Sequence, residues 1–166
     1  MEGDKSIIEK GQSIAGGAIH FVLSHSYLVF LMAIVGGVIL QMIFPVPLFG
    51  NGISSYFGGL MIIFGSSIIY WAQSTSHHTE REMKEKNAPR CFDCGPYKYS
   101  RNPTHIGLSV MTIGLGIMLN SFFIFILLII ASLVSKFIFL KKEEALLEKK
   151  YGEPYREYKK RVSTWV

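Results

Sequence analysis

Apolar residues run through this chain in long blocks with no charged position inside them. Between Gly11 and Thr79 there is no Asp, Glu, Lys or Arg, and between Asn102 and Ser135 there is none either. A helix on the surface of a soluble bundle needs a polar outer face, and these blocks offer none. A membrane-crossing helix needs about 20 apolar residues. Residues 26–44 and 53–71 fit that length, and 104–140 is long enough for a helical hairpin, 104–119 and 122–140, broken at Asn120-Ser121. Residues 14–25 can extend the first span, lie in the interface or form a further short membrane helix. The pattern predicts an all-α fold: a polytopic membrane helix bundle of about four to five transmembrane helices, one integral membrane domain over 1–166.

The charged residues fall in three islands, 1–10, 80–101 and 136–161. The link 45–52 and the Asn120-Ser121 turn carry no charge, whereas 72–103 holds six Lys/Arg and the tail after Phe139 holds eight. Basic residues collect on the cytoplasmic side, so both termini and the 72–103 link are expected there. Four spans satisfy this arrangement. The net charge of +5 among 166 residues then reads as membrane asymmetry, with no need for a nucleic-acid partner. The first apolar stretch is long, lacks a small-x-small cleavage site and is followed by more spans, so it is not expected to be a removable signal peptide.

Within the islands, residues 79–86 alternate in sign and predict a solvated helical turn or two, broken by Asn87-Ala88-Pro89. Gly95-Pro96 makes a second break. Asn102-Pro103 reads as a helix start, Asn capping and Pro in the first position. The residues just before it, "GPYKYSR" at 95–101, join Tyr97, Lys98, Tyr99 and Arg101 to a helix N-terminus whose N–H groups suit an anion. A belt of interfacial aromatics and snorkelling cations would use the same residues. In the tail, Gly152 fits the end of a helix and Pro154 the start of a short last one. Glu143 and Glu144 are the first acids after the long charge-free block. They can pair locally, as Lys141 with Glu144, or face the 95–105 cluster. The very short turn at 120–121 makes the last two spans antiparallel neighbours, so the start of one and the exit of the other lie on the same side.

The ordered set Gly95-Pro96-Tyr97-x-Tyr99-x-Arg101-Asn102-Pro103-x-x-x-Gly107, an apolar hairpin, then Glu143-Glu144-x-x-Leu147-x-x-x-Tyr151-Gly152-x-x-Tyr155-x-x-Tyr158 resembles the isoprenylcysteine carboxyl methyltransferase family. That family is related to the phospholipid N-methyltransferases. The resemblance covers roughly residues 70–162 and is strongest in "YGEPYREYKKRV". It implies an integral membrane enzyme that uses S-adenosylmethionine in a cytosolic-side pocket, with a lipophilic methyl acceptor entering from the bilayer. Carried over, it implies cofactor contacts from Gly95, Pro96, Tyr97, Tyr99, Arg101, Asn102, Pro103, His105, Glu143 and Glu144, with Arg101, His105 and Glu144 nearest the chemistry. The family motif is often Arg-His-Pro followed by x-Tyr-x-Gly. Here Asn102 replaces the His, and His105 stands where the Tyr would be, which loosens the tie to the prenylcysteine branch.

Methyl transfer from a sulfonium is a displacement on an activated donor, so the protein mainly positions reactants and excludes water. Glu143 or Glu144 can accept from the cofactor ammonium, Arg101 or the helix N–H groups can hold its carboxylate, and Tyr97 or Tyr99 can flank the adenine or sulfonium. A carboxylate acceptor attacks as it is. An amine or thiol must lose a proton, to His105, Glu144 or water. The first expectation is the carboxylate of a prenylcysteine-like substrate; a phospholipid amine stays open. Two other classes stand beside the methyltransferase: an NADPH-dependent reductase of a lipid or sterol-like substrate, and a non-enzymatic four-span protein such as a transporter. The lack of an acid inside the apolar blocks argues against the transporter.

Other residues point to structure. One C-x-x-C, Cys91 and Cys94, with His77, His78 and His105, is too little for a metal site, so no metal is expected. In a cytosolic link the two are expected to remain thiols. His20 and His25 do not share a helix face well. The glycines at 16-17, 36-37 and 58-59 suit close helix packing. Ser66, Ser67 and Gln73 are expected in interhelical hydrogen bonds, with a substrate path as the alternative.

Overall fold

The computed structural model describes His25 and residues 27–48, 53–86 and 91–164. Among these residues every regular element is helical and none is a strand. Helix α1 is Tyr27–Ile43. Helix α2 is Ile53–Lys86, α3 Pro103–Met118, α4 Phe122–Val134, α5 Lys141–Tyr151 and α6 Glu153–Arg161. A 3₁₀ turn, Gly95–Lys98, precedes α3, and a π-helical stretch, Ser135–Leu140, carries α4 into α5 without a break.

Two helices are long and apolar enough to cross a membrane: Ser55–Met83 within α2, and Phe122–Tyr151, which takes in α4 and α5. Helices α1 and α3 are apolar but shorter. With 16 residues, α3 reaches only about 24 Å at 1.5 Å per residue. Of the four expected spans, two therefore meet the length on their own. The segment 14–25, apart from His25, and the Asn87-Ala88-Pro89 break lie outside the described residues. His25 stacks on Phe139, with ring centroids 6.4 Å apart; His20 is also outside the described residues.

The link at 72–103 is not what the charge pattern suggested. Helix α2 does not stop near Trp71 but runs unbroken to Lys86, 34 residues in all. Nothing between Ala72 and Lys86 breaks a helix, because Gly and Pro are both missing there. Its last turns are laced by pairs four residues apart: Arg81–Glu85 at 2.7 Å and Lys86–Glu82 at 3.3 Å. These charges are the end of a membrane-length helix rather than a separate turn.

The α3–α4 hairpin forms as expected at Asn120-Ser121. Asn120 takes φ 51°, a left-handed position that Asn tolerates. Ser121 caps α4, its hydroxyl accepting from the Ile124 N–H. The Asn120 side-chain oxygen accepts from the Leu48 N–H at 2.8 Å, and Gln41 Nε2 donates to the Asn120 carbonyl at 3.3 Å. These bonds fasten the end of α1 to the turn.

Helices α2 and α3 pack backbone to backbone through glycines. A Cβ on Gly58 would lie 2.5 Å from the Gly114 carbonyl oxygen, and one on Gly65 would lie 2.7 Å from that of Gly107. The reciprocal pairs, seven residues apart on each helix and in opposite order, make the helices antiparallel. Of the glycines singled out from sequence, Gly58 takes part, and Gly36 and Gly37 face Leu127 and Ile124 of α4. Gly59 meets nothing within 4 Å, so it has no packing role. The core is small: Phe30, Leu108 and Leu128, with Tyr27, Ile69, Met111 and Ile113 against them. Large apolar side chains instead face outward along α1, α2 and α4, among them Met42, Tyr56, Leu60, Phe64 and Ile129. So wide an exposed apolar surface is what a lipid-facing bundle presents. Ser66 and Ser67 sit on this exposed side. Ser66 makes an interhelical bond to the Met111 sulfur of α3, though an exposed rather than a buried one, and Ser67 bonds only its own helix at Ile63.

Candidate active site

At the charged end of the bundle the chain folds back over the start of α3. Gly95, at φ 57°, turns the chain into the 3₁₀ segment so closely against α2 that a Cβ would lie 2.5 Å from Thr75 Oγ1. Cys91 and Cys94 come just before this turn and are joined by a disulfide, their Cα atoms 5.7 Å apart. This overturns the expectation of plain thiols. The extended Cys94, at φ −93° and ψ 141°, brings the two residues within bridging reach, and neither offers a thiolate to a metal. Phe92, held between them, packs on Tyr151, Tyr155 and Tyr158 at 5.3–5.6 Å. Tyr158 donates its hydroxyl hydrogen to the Tyr97 carbonyl at 2.8 Å. Burial, then the neighbouring Glu144 carboxylate, holds the Tyr155 phenol above its ordinary pKa. Burial, then Tyr155, does the same for Tyr158. Both stay neutral at any physiological pH, Tyr158 as a hydrogen-bond donor and Tyr155 accepting from Arg101.

Helix α5 reaches the site because the π-helical stretch intervenes. A helix widened over Ser135–Leu140 rotates every later residue relative to a regular α-helix. Helix α5 ends at Gly152, whose φ of 64° needs glycine, and α6 doubles back with Pro154 in its first turn. The result separates the two acids. Glu143, 9% exposed, lines a cavity. Glu144 lies behind it and pairs with Arg101 Nη1 at 2.7 Å and with Lys159 at 3.1 Å. The Arg101 and Glu144 side chains are 10% and 15% exposed, so the pair is largely out of water. Lys141, the alternative partner, is not the one Glu144 takes.

The cavity has a volume of about 520 Å³, within the usual range for small-molecule sites. Of the residues singled out in sequence, Tyr97, Arg101, Asn102, Pro103, His105 and Glu143 line it. Gly95, Pro96, Tyr99 and Glu144 do not; Tyr99 is 66% exposed and points away. Gly95 and Pro96 shape the turn, and Glu144 acts through Arg101. The start of α3 also differs from expectation. Asn102 sits at the capping position, but at φ −131° and ψ 60° its side chain makes no capping bond. Its own N–H goes to Ser100 Oγ at 3.2 Å. Pro103 has no N–H, and the His105 N–H turns back to the Asn102 carbonyl at 3.1 Å. Fewer helix N–H groups are thus left for an anion than the sequence suggested. Side-chain donors take their place: Asn102 Nδ2 and Arg101 Nε are buried without a hydrogen-bond partner among the described residues, and so is His105 Nε2, which can serve as an acceptor. Buried polar atoms of that kind are costly, and their gathering on one cavity points to a polar ligand.

Several lining residues were not marked in the sequence. Tyr27, at the start of α1, hydrogen-bonds Gln73 and Thr104 and closes the end beside the apolar helices. Gln73 thus takes both roles that the sequence left open, an interhelical bond and a place on the cavity wall. Phe92, Glu80 and Lys150 are further unmarked lining residues, beside Leu147 of the resemblance motif. Tyr27 and Glu80 come from distant helices that only the fold brings in. Phe92, between two cysteines in an aromatic-poor link, carried a faint signal. Among the described residues no cluster of His, Cys, Asp and Glu is arranged to hold a metal ion.

Residues 53–154 match a family model described as phospholipid methyltransferase. No curated protein and no solved structure matches the chain.

Proposed function

The chain belongs to the phospholipid methyltransferase family, a family of membrane methyltransferases, and from that premise we propose that it transfers a methyl group from S-adenosylmethionine to an amine-bearing lipid at the cytoplasmic membrane face. The observation that carries this reading is the convergence of Glu143, Arg101, Asn102 and His105 on one cavity at the end of the apolar helices. Its volume and its three buried, unpartnered donor or acceptor atoms fit a zwitterionic nucleoside. Bound there, S-adenosylmethionine would supply an activated methyl group. The Glu143 carboxylate accepts from its ammonium group, and Arg101 Nε with Asn102 Nδ2 donates to its carboxylate. Tyr97 and Phe92 give the apolar wall for the adenine. His105 Nε2, as the neutral tautomer, takes the proton that an attacking amine must lose. The Tyr27, Gln73 and Thr104 group excludes water on the lipid side.

Arg101 is already neutralised by Glu144, and the cavity wall carries Glu80 and Glu143. That balance suits an amine better than a carboxylate acceptor. Lys150 is also on the wall, and it favours the second reading, the carboxylate of a prenylcysteine-like lipid. Four spans, α1, α2, α3 and α4, complete the proposal; the basic ends of α2, α5 and α6 favour the cytoplasmic side, against the Cys91–Cys94 disulfide, a bond rare in the cytosol.

Calorimetry on the protein in detergent tests it. S-adenosylhomocysteine is expected to bind at micromolar concentration, and Glu143→Gln to weaken it at least tenfold, about 1.4 kcal/mol. No heat with S-adenosylhomocysteine, together with clear binding of NADPH, would replace the methyltransferase with a reductase.

A further inference from the structure

The geometry points to Thr164, in the tail beyond α6, as a positioning residue for Arg101; this rests on the proposed cofactor site. Beyond Arg161 the backbone becomes extended, with Val162 at φ −115° and ψ 132°, and crosses the turn that leads into α3. The Arg101 N–H donates to the Ser163 carbonyl at 3.0 Å. Ser100 Oγ donates to the Thr164 carbonyl at 3.0 Å, while accepting from the Asn102 N–H. The tail is thereby pinned to Ser100 and Arg101 directly, and to Asn102 only through the Ser100 hydroxyl; Arg101 and Asn102 line the cavity.

On that strap the Thr164 hydroxyl does two things. Its oxygen accepts from Arg101 Nη2, and its hydrogen is donated toward Glu144 Oε1 at 3.4 Å. A guanidinium offers only donors and a carboxylate only acceptors. A hydroxyl is the smallest group that satisfies both at once. With Glu144 on Nη1, Thr164 on Nη2 and the Tyr155 phenol also bonded to the group, the guanidinium is held in one orientation, in which Nε is buried without a geometric hydrogen-bond partner among the described residues. Thr164 does not itself line the cavity. It acts by fixing the orientation in which Arg101 presents Nε.

The test compares Thr164→Val with Thr164→Ser in the full chain. Valine keeps the volume and removes the hydroxyl; serine keeps the hydroxyl. Two readouts are taken in detergent: the affinity for S-adenosylhomocysteine, and amide hydrogen exchange of the 97–104 segment with no ligand present. Thr164→Val is expected to weaken binding about tenfold, the loss of one hydrogen bond to a charged group, and to speed exchange at 97–104. Thr164→Ser should bind within about twofold of the wild type, well inside the tenfold step that marks a lost bond. Valine binding as tightly as wild type, or serine as weakly as valine, would overturn the assignment. A wild-type protein that binds no S-adenosylhomocysteine would instead overturn the cofactor site; faster exchange in Thr164→Val would still uphold the strap, and unchanged exchange would remove it.

Discussion

Glu144→Ala is expected to lower stability by about 3 kcal/mol and to abolish tight S-adenosylhomocysteine binding, although Glu144 does not line the cavity. Removing the carboxylate leaves Arg101, whose side chain is 10% exposed, without its 2.7 Å partner. A charge stranded in that position is solvated poorly and seeks water or a new partner. Arg101 would swing from the orientation that Glu144 and Thr164 impose. Lys159 would also lose its 3.1 Å contact and with it a tie from α6 to α5. A paired substitution separates folding from function. Arg101→Met with Glu144→Leu replaces two charges by apolar side chains of similar size, and such swaps are often neutral or stabilising. Thermal unfolding of the double variant should return to within about 1 kcal/mol of wild type, while cofactor binding stays lost. Retention of tight binding in the double variant would show that Arg101 holds no ligand.

The second large effect lies in the glycine seam. Gly65→Val should lower the thermal midpoint by about 5–10 °C, from about 1–3 kcal/mol of overpacking. The added Cβ would meet the Gly107 carbonyl oxygen and the Met111 nitrogen, both at 2.7 Å. These are backbone atoms and cannot rotate aside as a side-chain tip can. Helix α3 would have to move away from α2. Gly107 stands two residues after His105 in the same helix, so the displacement reaches the cavity directly. Methyl transfer should fall with stability. Gly59→Ala is the control: nothing lies within 4 Å of its added carbon, and a helix interior gains up to about 1 kcal/mol when Gly becomes Ala. Equal midpoints for Gly65→Val and Gly59→Ala would refute the close α2–α3 contact.

Much of this site was legible in the residue pattern alone. The uncharged blocks and the short Asn120-Ser121 turn required the start of α3 and the exit of α4 to be neighbours, and the Arg101–Glu144 pair is that inference realised. Pattern could not say which of Glu143 and Glu144 lines the cavity. Adjacent helical positions differ by about 100° of rotation, and the π-helical stretch at Ser135–Leu140 resets the phase with no mark in the sequence. The length of α2 was hidden for a related reason. Membrane thickness sets the end of the 53–71 span, and the alternating signs of 79–86 predict only a separate turn or two, although no residue between them breaks the helix. Gly65 and Gly114 stand singly and carry no packing signal, Gly107 enters only through the resemblance motif, and of the paired Gly58-Gly59 only half packs. The Thr164 strap depends on a tail folding across the turn before α3, which local periodicity does not encode.

The most direct measurement of the central claim tracks a labelled methyl group. Purified protein in vesicles of phospholipids with primary-amine headgroups is given S-adenosylmethionine labelled in the methyl position, and the lipid extract is then treated with alkali. The expected result is label in the lipid headgroup that survives alkali, as an N-methyl group does, and its loss in Arg101→Ala and Glu143→Gln. No label in any lipid from the wild-type protein, or undiminished label in both variants, would contradict amine methylation at this cavity.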